Sequence, residues 1–446
     1  MTDSSKNNKI KETYAATMLK RSNQSCKVFS VKIQKNKLNS TQKELLKMMF
    51  VETKWLYNHI LSLSKEGADV FSIKYTDIKT VTHFSKDKER IDSPLSYLSS
   101  QMKQSLLDGM CSSIKGLARL KKNGGKVGSL KFISEYSSLN LKQSHVSYRI
   151  VGKSKVKVQG IKKPLKVNGL EQVLSLPEYD LANARLIQRN GDYFIAITVY
   201  VPKEQPDNNK PLIGIDLGCQ TTVTLSNGKK YNCSVEESEH IKSLKRKASM
   251  TKKGSNNRHK LWIKIRKKQQ ELLDRKNDIA MKICHELSVY KVVMQDEQLS
   301  SWQKNGHGKA VANGILGRVK AILSDREDTV VLSKWCPTTK LCSVCGETVS
   351  LSQWNRTFVC PVCGESHDRD VHAAENMLWF ARNKIGVGRT STPAEIMDAI
   401  RKVFSDMGSL SLKQEAANLK IGSSSRYIFT ILYVAIIIPP PLLFQT

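Results

Sequence analysis

The sequence predicts an α+β multidomain protein. An N-terminal β-barrel with an inserted helical domain is followed by an α/β domain that carries a small four-cysteine ribbon. Three observations predict it. A β-branched, aromatic run at Val28–Ile33 is separated from further short strands by a long stretch of helical periodicity. Apolar strand patterns at 211–218, 292–294 and 329–332 then alternate with helical ones. Two C-x-x-C pairs, Cys342/Cys345 and Cys360/Cys363, stand between the last of these strands and a closing helix.

In chain order, residues 1–27 read as a disordered basic tail, and the first barrel strand falls within 28–41. A helical domain spans 42–125. Thr41 caps its first helix, where Leu45, Leu46, Met49, Trp55, Leu56 and Ile60 recur at helical spacing, and more helix follows at 94–120 after an irregular charged stretch. The barrel resumes over 126–205 with strands at Val146–Ile150, Lys155–Gln159, Ala184–Ile187 and Tyr193–Val201. Asn190-Gly191 is the hairpin turn between the last two. Pro202–Pro211 reads as a linker.

The α/β domain covers 208–385, with the ribbon at 336–366 inserted in it. It opens on Pro211–Gly218, a buried strand ending in an acid, and a hairpin about Asn227-Gly228 follows. Two helices over Ser238–Tyr290 break at Lys252-Lys253-Gly254-Ser255. A strand at Val292–Met294, a helix with Ile315, Leu316, Val319 and Ile322, a strand at Thr329–Leu332 and a helix over about 370–384 complete it. Residues 386–446 read as a flexible tail. In it Ile428–Ile438 are apolar, but the run is too short to span a bilayer and Pro439-Pro440-Pro441 ends it.

The charge narrows the function. Seventy-two Lys and Arg stand against 40 Asp and Glu, a net charge of +32, which repels itself unless a polyanion neutralises it. Between Lys242 and Lys276 there are fourteen basic residues and two acids, so this helical pair reads as a polyphosphate groove rather than an ordinary solvated face. Its candidate contacts are Lys245, Arg246, Lys252, Lys253, Arg258, Lys260, Lys264, Lys267 and Lys268, joined by Arg318 from a later helix. No secretory signal opens the chain, and Cys26, Cys111, Cys219, Cys233, Cys284 and Cys336 follow no disulfide framework. A reducing cytoplasm is the expectation.

The four paired cysteines, with fourteen residues between the pairs, have the spacing of a tetrahedral Cys₄ zinc site. With every position filled by thiolate, it is structural. Asp216, Glu297 and Asp370 lie far apart in sequence, two of them at or just after a buried strand and one opening a helix. A strand–hairpin followed by helix, strand and helix, with acids at those places, is the RNase H-like layout. Three carboxylates at one sheet edge can hold two Mg²⁺ ions about 4 Å apart for phosphodiester hydrolysis, since Mg²⁺ is a hard cation that takes oxygen ligands. Asp296 competes with Glu297, and Asp368 with Asp370. Gly214–Thr222 also looks like the first phosphate loop of actin-like and Hsp70-like ATPases, but the second acidic loop and the adenosine-binding glycine pair of those proteins are not found.

The cysteine pairs followed by His367–Met377 resemble the C-terminal part of the RuvC nuclease in TnpB proteins and their relatives, the type V CRISPR effectors. Family-like segments extend the resemblance over 28–425. They are Lys126-Val127-Gly128 with Phe132, the basic hairpin Lys245–Leu287, Ile315–Lys320, Pro337–Cys342 and Leu412–Ala416. The resemblance implies a RuvC nuclease domain and selects Glu297 and Asp370 over their neighbours. It also implies RNA-guided cleavage of double-stranded DNA next to a short flanking motif, with guide RNA and target DNA as partners. A compact type V CRISPR effector is the alternative, and a nuclease-dead RNA-guided DNA-binding regulator a second. His372 departs from the family, which has Asn there.

Overall fold

A computed structural model describes residues 3–84, 89–203, 207, 209–304, 308–352, 355–388 and 390–418. The chain forms two units, one of residues 1–205 with 248–267 and the other of 206–247 with 268–446.

The first unit opens with α1 (Asp3–Ser22), β1 (Gln24–Ile33), α2 (Ser40–Lys65), β2 (Thr80–Phe84), β3 (Arg90–Pro94) and α3 (Ser100–Lys122). It continues with β4 (Ser138–Leu141), β5 (Tyr148–Val151), β6 (Lys155–Val158), β7 (Leu165–Asn168), α4 (Glu171–Leu174), β8 (Asp180–Arg189) and β9 (Asp192–Pro202). Seven strands in the order β4-β8-β9-β1-β7-β6-β5 make a nearly closed antiparallel barrel. The β8–β9 turn at Asn190-Gly191 has φ of 53° and 80°, the doubly positive pair that a two-residue hairpin needs and that Asn and Gly accept most readily. Val31, Val156, Leu165, Leu186 and Ile197 share one buried core with Leu46, Met49, Leu56 and Ile60 of α2, so barrel and helices are packed as one body. Buried Glu52 binds the chain entering α3, accepting from the backbone N–H groups of Ser96, Tyr97 and Leu98 at 2.8–3.2 Å.

Three expectations are corrected here. The N-terminal residues expected as a disordered tail form α1. Its last turn is held by a Lys20–Asp180 ion pair of 2.6 Å and by Arg21 over the Tyr200 ring at 4.1 Å. Asn39, not Thr41, caps α2: its side chain accepts from Gln42 N–H while Gln42 reaches back to Asn39 N–H, a capping box. The irregular charged stretch contains the β2–β3 hairpin.

The second unit contains β10 (Leu212–Asp216), β11 (Val223–Leu225), β12 (Lys230–Tyr231), α5 (Glu239–Met250), α6 (Asn256–Glu286) and β13 (Lys291–Gln295). Then come α7 (Leu299–Trp302), α8 (Gly308–Asn313), α9 (Leu316–Ser324), β14 (Val330–Leu332), β15 (Thr357–Val359), β16 (Ser366–Asp368), α10 (Arg369–Arg382) and α11 (Pro393–Asn418). The facing ends of α5 and α6, residues 248–267, group with the first unit. The sheet order is β12-β11-β10-β13-β14, parallel across β10, β13 and β14 and antiparallel through the hairpin.

Strand alternation gives this sheet two dressed faces. Ile213, Ile215, Val292 and Met294 pack with Ala280 and Ile283 of α6 and with Leu316, Val319 and Leu323 of α9. Val293 and Leu332 face the other way, onto Met377 and Phe380 of α10 and Ile396 and Ile400 of α11. The flexible reading of residues 386–446 therefore fails over 393–406. Ile396, Ile400 and Val403 form an apolar stripe, and Thr392 and Glu395 make a reciprocal cap at its start, with Pro393 in the first turn. Residues 419–446, including the apolar run at Ile428–Ile438, lie outside the described residues.

Candidate metal centres

Four cysteines and three acids of the second unit are brought together in different ways. The ribbon cluster is built from two copies of one local turn. Cys342 N–H donates to Glu347 O and Gly346 N–H to Cys342 O. Cys360 N–H likewise donates to Glu365 O, and Gly364 N–H to Cys360 O, all at 2.8–3.0 Å. Each turn points two thiols inward, and the glycine behind each pair turns the chain with φ near 75–79°. The four sulfurs lie within 4.8 Å of one another, with Cys342 Sγ–Cys363 Sγ at 3.6 Å and Cys345 Sγ–Cys360 Sγ at 3.5 Å. A zinc–sulfur bond of about 2.3 Å sets tetrahedral S–S edges of about 3.8 Å, so the cluster fits zinc. Cys336 stays outside it, buried, with its thiol pushed up to about 12 by desolvation.

The ribbon is latched to the sheet domain by buried amides. Gln295, the last residue of β13, donates to Ser333 O and Cys336 O at 3.1 and 2.7 Å and accepts from Thr338 Oγ1 at 3.0 Å. Asn376 on α10 donates to Thr338 O and Leu341 O at 2.7 and 2.8 Å.

The carboxylate cluster depends on long-range packing. The parallel register sets Ile215 opposite Met294, which brings the ends of β10 and β13 together, with Asp216 closing the one and Glu297 two residues past the other. Gly214 faces α10: a Cβ there would lie 1.9 Å from the Ala374 carbonyl oxygen. Only a glycine lets the helix backbone come that near the strand. Asp216 is two residues along from Gly214 and so on the same face. Asp370 is one turn before Ala374, at the positive end of α10. The Asp216 carboxyl is pushed up to about 7, first by burial and then by the charges of Asp370 and Glu297, with Arg369 opposing. Burial also raises the Glu297 carboxyl, against the pull of Lys320. Arg356 Nη1 lies 3.8 Å from Asp370 Oδ1.

The structure gives the two rival acids other work. Asp368 is the N-cap of α10, accepting from the N–H groups of Asp370 and Val371 at 3.1 Å and pairing with Lys230 at 2.8 Å. Asp296 pairs with Lys320 at 2.8 Å. Among the described residues, the groups whose ligand atoms all fall within 4.8 Å are the four cysteines and the set His367, His372 and Glu375. The acid trio stands wider than that. An all-oxygen donor set suits Mg²⁺. A cavity of about 390 Å³ adjoins the loop after Asp216, lined by Gly218, Gln220, Thr222, Ser234, Lys309 and Asn313.

Of the expected nucleic-acid contacts, Lys252, Lys253, Lys260, Lys264, Lys267, Lys268 and Arg318 are exposed. Lys245, Arg246 and Lys268 already pair with Glu237, Glu239 and Glu271, and Arg258 donates to Thr251 O. Gly214, Gln295 and Asn376 were not singled out as positioning residues by the sequence reading. Their role is visible only in what they touch.

The second unit thus holds a four-thiol cluster and the three acids Asp216, Glu297 and Asp370. The family model Cas12f1-like, TNB domain, matches residues 322–377, and OrfB_IS605, described as "Probable transposase", matches 194–296. A curated protein of Streptomyces pristinaespiralis described as "Putative RNA-guided DNA endonuclease" is 29% identical over 202 residues, 43% of this chain and 50% of that one. The chain thus spans about half the length of this relative. A chain of the cryo-EM structure of a Cas12f1-sgRNA-target DNA complex aligns with a TM-score of 0.47 at 13% identity, over 80% of this chain and 99% of that one. Among the described residues, no helix is long and apolar enough to cross a membrane.

Proposed function

We propose that the chain is an RNA-guided DNA endonuclease of the TnpB type, cutting double-stranded DNA at a single RuvC carboxylate site. One observation carries this reading: the Asp216 carboxyl is pushed up to about 7 by burial and then by the charges of Asp370 and Glu297, so two acids from distant segments are felt at a third. Two Mg²⁺ ions bound there would supply charge neutralisation and polarisation at the scissile phosphate. The chain's own part is to present the carboxylate oxygens of Asp216, Glu297 and Asp370 on fixed backbone. Asp368 and Lys320 serve that arrangement, the first by capping α10 and the second by tying down Asp296. The exposed lysines of α5 and α6 grip phosphates of guide RNA or target DNA, and base pairing to the guide selects the sequence. The ribbon holds one structural zinc through Cys342, Cys345, Cys360 and Cys363. The match of residues 322–377 to a Cas12f1-like model favours, as second reading, a compact type V CRISPR effector with the same site.

To test this, the protein is expressed with its flanking DNA, the RNA that copurifies is sequenced, and duplexes matched and mismatched to it are offered with Mg²⁺. Cutting of the matched duplex alone is expected. Equal cutting of both, or cutting by RNA-free protein, reduces the chain to an ordinary metal-dependent nuclease. Elemental analysis of the same preparation should find one tightly held zinc per chain.

A further inference from the structure

A second group of metal-ligating side chains lies beside the ribbon cysteines and is used by neither centre described above. His367 ends the ribbon on β16. His372 and Glu375 follow on α10, three residues apart and so on one helix face. One ligand atom from each of the three falls within 4.8 Å of the others.

The hydrogen bonds around the two imidazoles fix which nitrogen is free. His372 is 1% exposed, and its Nε2 lies 2.8 Å from the Leu341 carbonyl oxygen. A carbonyl only accepts, so Nε2 carries the proton and Nδ1 the lone pair. That Nδ1 is buried and has no hydrogen-bond partner in the protein. A buried acceptor left without a partner is costly, so a residue placed this way favours an occupant for the lone pair. His367 repeats the pattern: its Nε2 lies 3.0 Å from Glu365 Oε1, which leaves its Nδ1 as the free nitrogen when Nε2 donates. The rings stack nearly parallel, 11° apart with centroids at 5.0 Å, so the half-exposed His367 ring must turn for both in-plane lone pairs to reach one ion. A histidine whose far nitrogen donates to a carbonyl or a carboxylate is the outer-shell arrangement that orients metal-ligating imidazoles.

We propose that His367, His372 and Glu375 form a second transition-metal site, separate from both the cysteine cluster and the carboxylate cluster. Two imidazoles and one carboxylate suit a borderline divalent ion such as Zn²⁺ or Co²⁺, and three protein ligands leave a position for water. The ion would join β16 to the second turn of α10, bridging the segment that presents Asp368 and Asp370. Nothing in this rests on guide RNA or on DNA cleavage.

The test uses the full-length chain with Asp216→Ala, so that the carboxylate cluster is not a competing site, and with the cysteine cluster loaded with zinc. Co²⁺ is titrated and its visible spectrum followed. One further Co²⁺ per chain is expected, bound with ligand-field bands but no thiolate-to-cobalt charge transfer. His367→Asn and Glu375→Gln alter accessible side chains and should each weaken that Co²⁺ at least about 10-fold while leaving one zinc per chain. His372→Asn should abolish it. Absence of a further Co²⁺ in the parent, or unchanged binding in His367→Asn and Glu375→Gln, overturns the proposal. Thiolate charge transfer in the bound spectrum overturns it as well, since the Co²⁺ would then sit on the cysteines.

Discussion

The ribbon and the carboxylate cluster are two ways of gathering metal ligands. In the ribbon, two copies of a six-residue turn each deliver two thiols, and the sulfurs already stand 3.5–3.6 Å apart. The carboxylates come from the ends of two parallel strands and the start of a helix, and nothing local brings them together. Their meeting depends on strand register and on α10 approaching β10 at Gly214. The ribbon should therefore depend on its metal to fold, whereas the carboxylate site should depend on the fold to bind its metal.

Alanine at Asp216, Glu297 or Asp370 should separate these dependencies most sharply. Each change should abolish cleavage while guide and target binding, and the zinc count, stay unchanged. Asp370→Ala that still cuts normally, set beside an inactive Asp368→Ala, would reverse the assignment at α10.

Gly214→Ala attacks the same site through its scaffold. The added methyl meets the Ala374 carbonyl oxygen, so the strand or helix must shift, at about 3 kcal/mol. Denaturant unfolding should show that loss, with cleavage falling alongside. Wild-type stability and activity would mean α10 does not approach as described.

A smaller effect lies in pH. The Asp216 carboxyl sits near 7 when folded, far above its unfolded value, so the unfolded chain releases this proton first. Its contribution to stability, in zinc-loaded protein without added Mg²⁺, should be greatest below about pH 4. It should fall as pH rises towards 7, and Asp216→Asn should remove that slope. Mg²⁺ must displace the proton, so Mg²⁺ binding should strengthen as pH passes through about 7. A slope that persists in Asp216→Asn assigns the titration elsewhere. The smallest change should be Asp368→Ala, which removes a helix cap at about 1 kcal/mol and leaves cleavage intact.

The two centres were also unequally legible. The cysteine turns are written in six consecutive residues each, so spacing alone reveals them. Asp216, Glu297 and Asp370 have no local signature that separates them from Asp296 and Asp368, and there the family resemblance made the choice. Lys320 and the cap geometry supply the physical distinction, and both need coordinates. Some misses had a readable signal. Thr392-Pro393-Ala394-Glu395 is a capping box with proline in the first turn, and the stripe at Ile396, Ile400 and Val403 follows it, yet 386–446 read as a loose tail. Asn39-Ser40-Thr41-Gln42 is a second capping box, passed over for Thr41. The Lys20 and Arg21 contacts of α1 had no such signal, because their partners, Asp180 and Tyr200, lie far along the chain.

The latches formed by Gln295 and Asn376 also bear on how the ribbon could be altered. They grip residues 333–341, where the chain leaves the sheet, and α10 receives it again directly after β16. Both ends of the excursion are thus moored, and the described residues between the two cysteine turns are tied to the start of α10 as well, Arg369 donating to Ser352 O and Asn355 O at 3.2 Å and Arg356 lying 3.8 Å from Asp370. Closing a longer loop between fixed ends costs only about 0.6 kcal/mol for each doubling of length. A graft in that segment would nonetheless pull on Arg369 and Asp370 through those bonds, so the ribbon is a lever on the start of α10 and not an isolated port for added sequence.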